Sequence, residues 1–317
     1  MTPSRSDSAP SPGNAAGPAA SARPAAAGAA PSARPAAPPR YAVIGNPVAH
    51  SKSPRIHALF AAQAGLALDY GLLPAPAGGF AQAARGFFAE GGAGLNVTVP
   101  FKQEAYALAD DLSARARAAG AVNTLWMADG RLHGCNTDGV GLVDDLLRLG
   151  VRLDGARVLL VGAGGAARGV LQPLAQAGCR LVRIVNRTAA RAQELARGWA
   201  QTNAAARAQV EGGGLADAAL AGGWDLVVNA TSTGLSDAAP DLPAGLYAPG
   251  AAAYDMMYGA RPTAFLRQAA ADGAALCADG LGMLVGQAAE SFRIWHGVRP
   301  DPGPVLRILR AELAAQG

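Results

Sequence analysis

The segment Arg157-Val-Leu-Leu-Val161, running directly into Gly162-Ala163-Gly164-Gly165-Ala166-Ala167-Arg168, constrains the fold of this chain more than any other stretch. Four consecutive branched apolar residues read as a buried strand, and Val170, Leu171 and Leu174 read as the core face of the helix after it. The turn between them fits G-x-G-x-x-A, the pattern by which a doubly wound α/β domain receives a dinucleotide. Its glycines allow a tight turn and close backbone approach to a pyrophosphate, and the helix start offers unpaired N–H groups at the positive end of the helix dipole. An NAD site would place an acid at the end of the next strand, Leu181 to Val185. Here the chain reads Asn186-Arg187-Thr188-Ala-Ala-Arg191. Two guanidiniums and a hydroxyl suit a ribose 2′-phosphate through charge-assisted hydrogen bonds, so the expected cofactor is NADP.

A chain of 317 residues has room for two domains of ordinary size. Residues 1–39 belong to neither, because they contain no Ile, Leu, Val, Phe, Tyr or Trp and read as a disordered extension. Arg5, Arg23 and Arg34 against the single acid Asp7 resemble a mitochondrial-type presequence, but the many prolines oppose the amphipathic helix that needs.

From residue 40 strands and helices alternate: a strand at Tyr41 to Gly45, a helix at Pro54 to Ala64, a strand at Tyr70 to Leu73, a helix at Phe80 to Ala89 and a strand at Gly94 to Val99. A helical stretch from Phe101 through Ala119 and a hairpin from Ala121 to Asn136, turning at Asp129-Gly130, complete residues 40–138. This alternation predicts a mainly parallel sheet covered on both faces. The expected fold is therefore α/β with two domains: an N-terminal substrate-binding domain, and a C-terminal Rossmann-type doubly wound domain over residues 139–285 that binds NADP. Later strands at Asp225 to Asn229 and Ala252 to Asp255 belong to the second, and residues 286–317 form helices packing back toward the first.

Of the formal charge of +4, residues 1–39 carry +2 (three arginines less one aspartate), which leaves +2 for the rest and little support for nucleic acid. No apolar run reaches the ~20 residues of a membrane helix. Cys135, Cys179 and Cys277 are odd in number and widely spaced, which fits free thiols in a reducing compartment and no metal site. The expected location is cytoplasmic. Lysine occurs only twice, at Lys52 and Lys102, although the chain has 27 basic residues. An ammonium can be tuned toward proton transfer where a guanidinium stays protonated, so the two retained amines draw attention.

Ser51-Lys52-Ser53-Pro54 opens a helix, with Ser53 expected as N-cap and Pro54 as the first helical residue. The same arrangement sets two hydroxyls at a helix N-terminus, a seat for a carboxylate. Asn96 and Thr98 alternate with Val97 and Val99 and share one face at a strand end, Lys102 follows, and Asn123-Thr124 and Asn136-Thr137-Asp138-Gly139 bracket the hairpin. Six of the eight asparagines lie in such short motifs. Caps and turns account for some, but amides, hydroxyls, one lysine and one aspartate together suit a polyhydroxylated carboxylate.

On these motifs the chain closely resembles the shikimate dehydrogenase family. The matching segments are GNPVAHSKSP from Gly45, NVTVPFK from Asn96, GAVNT from Gly120, NTDGVG from Asn136, VGAGGA from Val161, NRT from Asn186, NATS from Asn229, YDMMY from Tyr254 and DGLGMLVGQ from Asp279. Their order and spacing hold from about residue 41 onward. The resemblance implies reversible NADPH-dependent reduction of 3-dehydroshikimate to shikimate, on the way to chorismate and the aromatic amino acids. It implies Lys102 and Asp138 as the catalytic pair, Ser51, Ser53 and Tyr258 at the substrate carboxylate, and Thr98, Asn123 and Gln287 at its other polar groups. Cofactor contacts would come from Gly162, Ala163, Gly164, Gly165 and Ala166, from Asn186, Arg187, Thr188 and Arg191, and from Thr231, Met256 and Gly280. Cys135 stands where many relatives have Asp, which leaves the pair intact and changes its surroundings. The partner is a small molecule, shikimate or 3-dehydroshikimate, with no nucleic acid and no membrane, and a homodimer is left open. Two alternatives stand beside this reading: a quinate/shikimate dehydrogenase of looser substrate and cofactor choice, and a non-catalytic NADP-binding regulator on the same fold. The arginines after Asn186 oppose NAD use, and a regulator would be expected to have lost Lys102 or Asp138.

Overall fold

The computed structural model describes residues 37–203, 206–231 and 238–316. Of the expected N-terminal extension, residues 1–36 therefore lie outside the described residues.

Two six-stranded sheets organise the rest. The first is built from β1 (Arg40–Gly45), β2 (Asp69–Pro74), β3 (Gly92–Val97), β4 (Asp111–Leu112), β5 (Thr124–Ala128) and β6 (Arg131–Cys135), in the order β2-β1-β3-β5-β6-β4. Its helices are α1 (Ser53–Ala64), α2 (Phe80–Ala89), α3 (Lys102–Leu108) and α4 (Ala114–Ala119). As expected the sheet is mainly parallel, β1 pairing in parallel with β2 and β3 and β4 with β6, while β3–β5 and β5–β6 are antiparallel. The reason is the hairpin: Asp129 (φ 51°) and Gly130 (φ 74°) both take the left-handed backbone a two-residue turn demands, and so return the chain antiparallel within the sheet.

The expected helix from Phe101 through Ala119 is corrected. It breaks after Leu108, where Asp110 accepts the Leu132 N–H at 2.8 Å and Asp111–Leu112 pair with β6. Ser113 then caps α4 by accepting from the Ala116 N–H at 3.1 Å. Ser53 does not cap α1; Lys52 occupies the N-cap position, Ser53 and Pro54 are the first two helical residues, and the Ser53 N–H points to Ser51 Oγ at 3.3 Å.

The second sheet is parallel throughout: β7 (Arg157–Val161), β8 (Leu181–Val185), β9 (Gln209–Gly213), β10 (Trp224–Asn229), β11 (Tyr247–Asp255) and β12 (Leu276–Asp279), ordered β12-β11-β10-β7-β8-β9. Numbered within the domain this is 3-2-1-4-5-6 read from the β9 edge, the Rossmann order, and it reverses between β7 and β10, where such sheets take their ligand. Val158, Leu160, Val182, Ile184, Leu226 and Val228 fill one face of this sheet, and Leu159, Val161, Val185, Trp224, Val227 and Ala253 the other. Burial on both faces explains why these strands read as continuous apolar runs. Helices α6 (Gly165–Gln176), α7 (Ala189–Thr202) and α8 (Ala264–Ala271) lie in the crossovers.

α5 (Asp138–Arg148) and α9 (Leu281–His296) join the two halves, and α10 (Pro302–Ala314) packs with α9 and α1 around Ile56, Phe60, Phe292 and Leu309. The contact between α5 and α9 is backbone on backbone. A Cβ added to Gly141 would stand 2.5 Å from the Met283 carbonyl oxygen, one on Gly286 would meet Gly141 Cα at 3.1 Å, and one on Gly282 would enter the Asp145 carboxylate at 2.1 Å. None of the described helices is long and apolar enough to cross a membrane.

Candidate active site

Lys102 is the first residue of α3, and Asp138 the first of α5. Lys102 Nζ donates to Asp138 Oδ2 at 2.6 Å, with the lysine side chain 29% and the aspartate 9% exposed. The ammonium thus reaches solvent while its counter-ion is fixed in the protein.

Asp138 is held from several sides. Asn123 Nδ2 donates to its Oδ1 at 2.9 Å, and the Asn136 side chain accepts its backbone N–H at 3.1 Å. Asn123 is oriented in turn, because its Oδ1 accepts from the Thr137 N–H at 2.9 Å and from the Thr124 hydroxyl at 2.9 Å, which commits the amide nitrogen to the aspartate side. Gln287 Oε1, on α9, lies 3.3 Å from Asn123 Nδ2 and 3.2 Å from Thr137 Oγ1. Four of the expected residues, Lys102, Asp138, Asn123 and Gln287, therefore share one hydrogen-bonded cluster contributed by α3, the β3–β5 connection, α5 and α9.

Ser51 Oγ donates to Ser53 Oγ at 3.2 Å at the start of α1. Thr98 follows β3; its methyl lies where a Cβ on Gly45 would come within 2.4 Å, so Gly45 is required by this approach. Tyr258 packs against the α1–α9–α10 cluster. Among the described residues no hydrogen bond joins Ser51, Ser53, Thr98 or Tyr258 to the Lys102–Asp138 pair.

Reasoning from the sequence missed Ser291 and named Thr124 only as part of its motif, without a place in the site. Thr124 and Ser291 are wholly buried, their hydroxyls stand 2.7 Å apart, and Ser291 also accepts from Asn96 Nδ2 at 3.1 Å and donates to the Gln287 carbonyl at 3.1 Å. Ser291 lies one helical turn beyond Gln287, so the same face of α9 supplied a signal for it. Asn96 faces this interior cluster, with Tyr70 donating to its Oδ1 at 2.7 Å. Thr98 lies beyond the strand end and is half-buried.

α9 is pinned by Glu290, 4% exposed, which accepts from Arg115 and Arg293 at 2.8 Å each. Burial alone would raise this carboxyl, but the hydrogen bonds and charge of Arg293 and Arg115 outweigh that and hold it at about 2. Arg115 also lies 3.4 Å from Cys135 Sγ. His57 is fully buried among Tyr70, Phe60, Phe292 and Trp295, stacked on Tyr70 at 4.3 Å. Among the described residues neither ring nitrogen has a partner within hydrogen-bond distance, and burial outweighs the nearby Asn96 amide and drives its pKa down to about 3.

The residues expected at the cofactor gather at the C-terminal ends of β7, β8, β10, β11 and β12. Gly162 has φ 112°, and a Cβ there would press on Ala230 and Thr231 at 3.2 Å, across the β7–β10 switch point. Gly164, Gly165 and Ala166 are exposed, and a Cβ on either glycine would meet nothing within 4 Å. Behind Ala163 the turn is therefore an open cradle at the N-terminus of α6, shaped for a pyrophosphate. Past β8, Asn186 Nδ2 donates to the Thr188 carbonyl at 3.0 Å. Arg187, Thr188 and Arg191 are exposed, and neither arginine has an ion-pair partner among the described residues. Thr231 donates to Asn229 Oδ1 at 2.7 Å, and Asn229 reaches Asp255 at 3.1 Å. Gly280 backs onto Met256, whose carbonyl oxygen a Cβ would meet at 2.2 Å.

The two groups adjoin. A Cβ on Gly169 of α6 would stand 3.7 Å from Asp138 Cβ, and α9 has Gly280 as its N-cap and Gln287 within its first two turns.

Comparison with known proteins agrees along the chain. Residues 43–125 match the shikimate dehydrogenase substrate binding domain, residues 145–233 the shikimate / quinate 5-dehydrogenase family, and residues 280–310 the shikimate 5′-dehydrogenase C-terminal domain. The shikimate dehydrogenase (NADP(+)) of Bordetella petrii is 69% identical over 279 residues, covering 88% of this chain and 97% of its own. That of Cupriavidus necator is 55% identical over 285 residues, covering 87% and 95%. Among solved structures, the shikimate 5-dehydrogenase of Thermus thermophilus in complex with NADP(H) and shikimate superposes with a TM-score of 0.76 at 38% identity, covering 87% of this chain and 100% of that one.

Proposed function

This chain belongs to the shikimate dehydrogenase family, and from that membership we propose that it catalyses the reversible NADPH-dependent reduction of 3-dehydroshikimate to shikimate, toward chorismate and the aromatic amino acids. The observation that carries the reading is the Lys102–Asp138 pair, 2.6 Å apart at the mouth of a polar cluster and against the helix that starts at the glycine turn.

The residues present fit NADP. The open turn from Gly162 to Ala166 would take the pyrophosphate, and Arg187, Thr188 and Arg191, with Asn186 bracing the loop, the 2′-phosphate. Thr231, Met256 and Gly280 would flank the nicotinamide. Bound there, NADPH supplies the hydride that reduces the ring carbonyl.

Lys102 Nζ donates a proton to the carbonyl oxygen as negative charge develops on it, and in the reverse direction takes that proton from the hydroxyl. Asp138 aims the ammonium and accepts from an adjacent ring hydroxyl. Asn123 and Gln287 hold further hydroxyls, and Thr98 lies beside them. Ser51, Ser53 and Tyr258 receive the carboxylate at the start of α1. A reducing, cytoplasmic setting suits the three free thiols.

The test is spectrophotometric: shikimate and quinate, each with NADP+ and with NAD+, on the full chain and on Lys102→Ala. Shikimate with NADP+ should dominate, and Lys102→Ala should lower kcat by roughly 10²–10⁴-fold with little change in NADP+ affinity. Equal turnover of quinate with NAD+ would overturn the substrate and cofactor assignment; substantial activity in Lys102→Ala would overturn the role of that amine.

A further inference from the structure

A second concavity lies apart from all of these residues. A cavity of about 880 Å³ opens between the end of β12, α8, α10 and the C-terminal end of α5, and one of about 580 Å³ joins it through the shared walls of Asp145, Arg148, Gly282, Leu306 and Arg307. A volume of this size accommodates a small metabolite. None of the residues proposed for substrate or cofactor lines either one.

The larger cavity is cationic: Arg148, Arg261, Arg267, Arg307 and Arg310 line it against two acids, Asp145 and Asp279, a balance of +3, whereas the smaller one adds Asp144 and Asp301 and no further arginine.

The acids serve as anchors. Asp145, 5% exposed, accepts from Tyr254 Oη at 2.8 Å and from Arg148 Nε at 2.8 Å, and Asp279 accepts from Arg310 Nη1 at 2.7 Å. Two guanidiniums are thereby held in fixed orientation, with donors to spare, since each carries five N–H groups. Arg307 has no ion-pair partner among the described residues. Leu149, Leu266, Ala278 and Leu306 give the rest of the wall an apolar character.

We propose that the larger cavity is a binding site for a small polyanion, a metabolite bearing two or more carboxylate or phosphate groups on a short apolar body. The pre-oriented Arg148 and Arg310 and the unpaired Arg307 grip the oxyanions, and the leucines cover the body.

The experiment is isothermal titration of the full chain with citrate and with inorganic pyrophosphate. Saturating NADP+ is present throughout, so that Arg187 and Arg191 are engaged, and acetate at matched ionic strength is the monovalent control. Saturable one-to-one binding of citrate or pyrophosphate, absent for acetate, is expected, weakened roughly tenfold or more in Arg307→Ser and again in Arg307→Ser/Arg148→Gln. The tighter probe tells whether carboxylate or phosphate is the natural headgroup. Both arginines are exposed, and turnover of shikimate by the variants verifies that they fold. Heats for both probes that match acetate, or an affinity unchanged in the variants, would overturn the proposal.

Discussion

Replacing Glu290 by Gln keeps the shape of the side chain and removes the charge that joins α4 to α9. The carboxyl is held at about 2 against an ordinary 4.5, and its side chain is only 5% exposed. A difference of that size corresponds to about 3 kcal/mol of stability at neutral pH, since each pKa unit is worth about 1.4 kcal/mol. Arg115 and Arg293 are 30% and 44% exposed, so solvent screening and the remaining amide oxygen bring the expected loss to roughly 2–3 kcal/mol. The sign follows from proton linkage: a carboxyl whose folded pKa is depressed contributes in full above its unfolded value and loses that contribution as pH falls toward its folded one. The gap between wild type and Glu290→Gln in urea unfolding should therefore stay constant from about pH 8 to 5 and shrink below about pH 4.5. A loss under about 0.5 kcal/mol at pH 7 would show that the two arginines are not neutralised through this carboxylate. A gap that varies between pH 8 and 5 would show that a different group titrates.

His57 also costs stability as pH falls, but over a higher window. Its folded pKa lies near 3, well below the usual 6.5, so the unfolded chain binds the extra proton and wild-type stability drops by about 2 kcal/mol between pH 7 and 5. His57→Phe should lack that drop in urea titrations, and a parallel drop in both proteins would refute the assignment. At the cofactor, Arg187→Ser/Arg191→Ser should raise KM for NADP+ by about 10- to 100-fold with little effect on NAD+; steady-state kinetics with equal losses for both would show that these guanidiniums do not discriminate the 2′-phosphate.

Much of the second domain was readable because its information is local. β7, the glycine turn and the start of α6 form one unbroken segment, and the strands' burial on both faces writes itself as apolar runs. The Asp129-Gly130 turn was readable for the same reason. What escaped depended on distant partners. β4 is two residues long and exists because Asp110 and Asp111 find β6. β9 and β12 border the sheet, and Gln209–Gly213 has too few apolar residues to announce a strand. In the proposed catalytic cluster Lys102, Asp138, Asn123 and Gln287 were legible through their motifs. Ser291 was not, since its hydroxyl joins that of Thr124 only when strand and helix, 167 residues apart, are brought together.

The scarcity of lysine has a practical side. Arginine has taken over nearly every surface cation, so an amine-selective reagent finds just two side chains, Lys52 at the N-cap of α1 beside Ser51 and Ser53, and Lys102 against Asp138. Apart from the α-amino terminus, a fluorophore, spin label or cross-linker would thus reach only these two positions of the proposed substrate cleft, without any cysteine engineering. Protection of these amines by added ligand would report occupancy of the cleft directly, by peptide mass, even where turnover is too slow to follow.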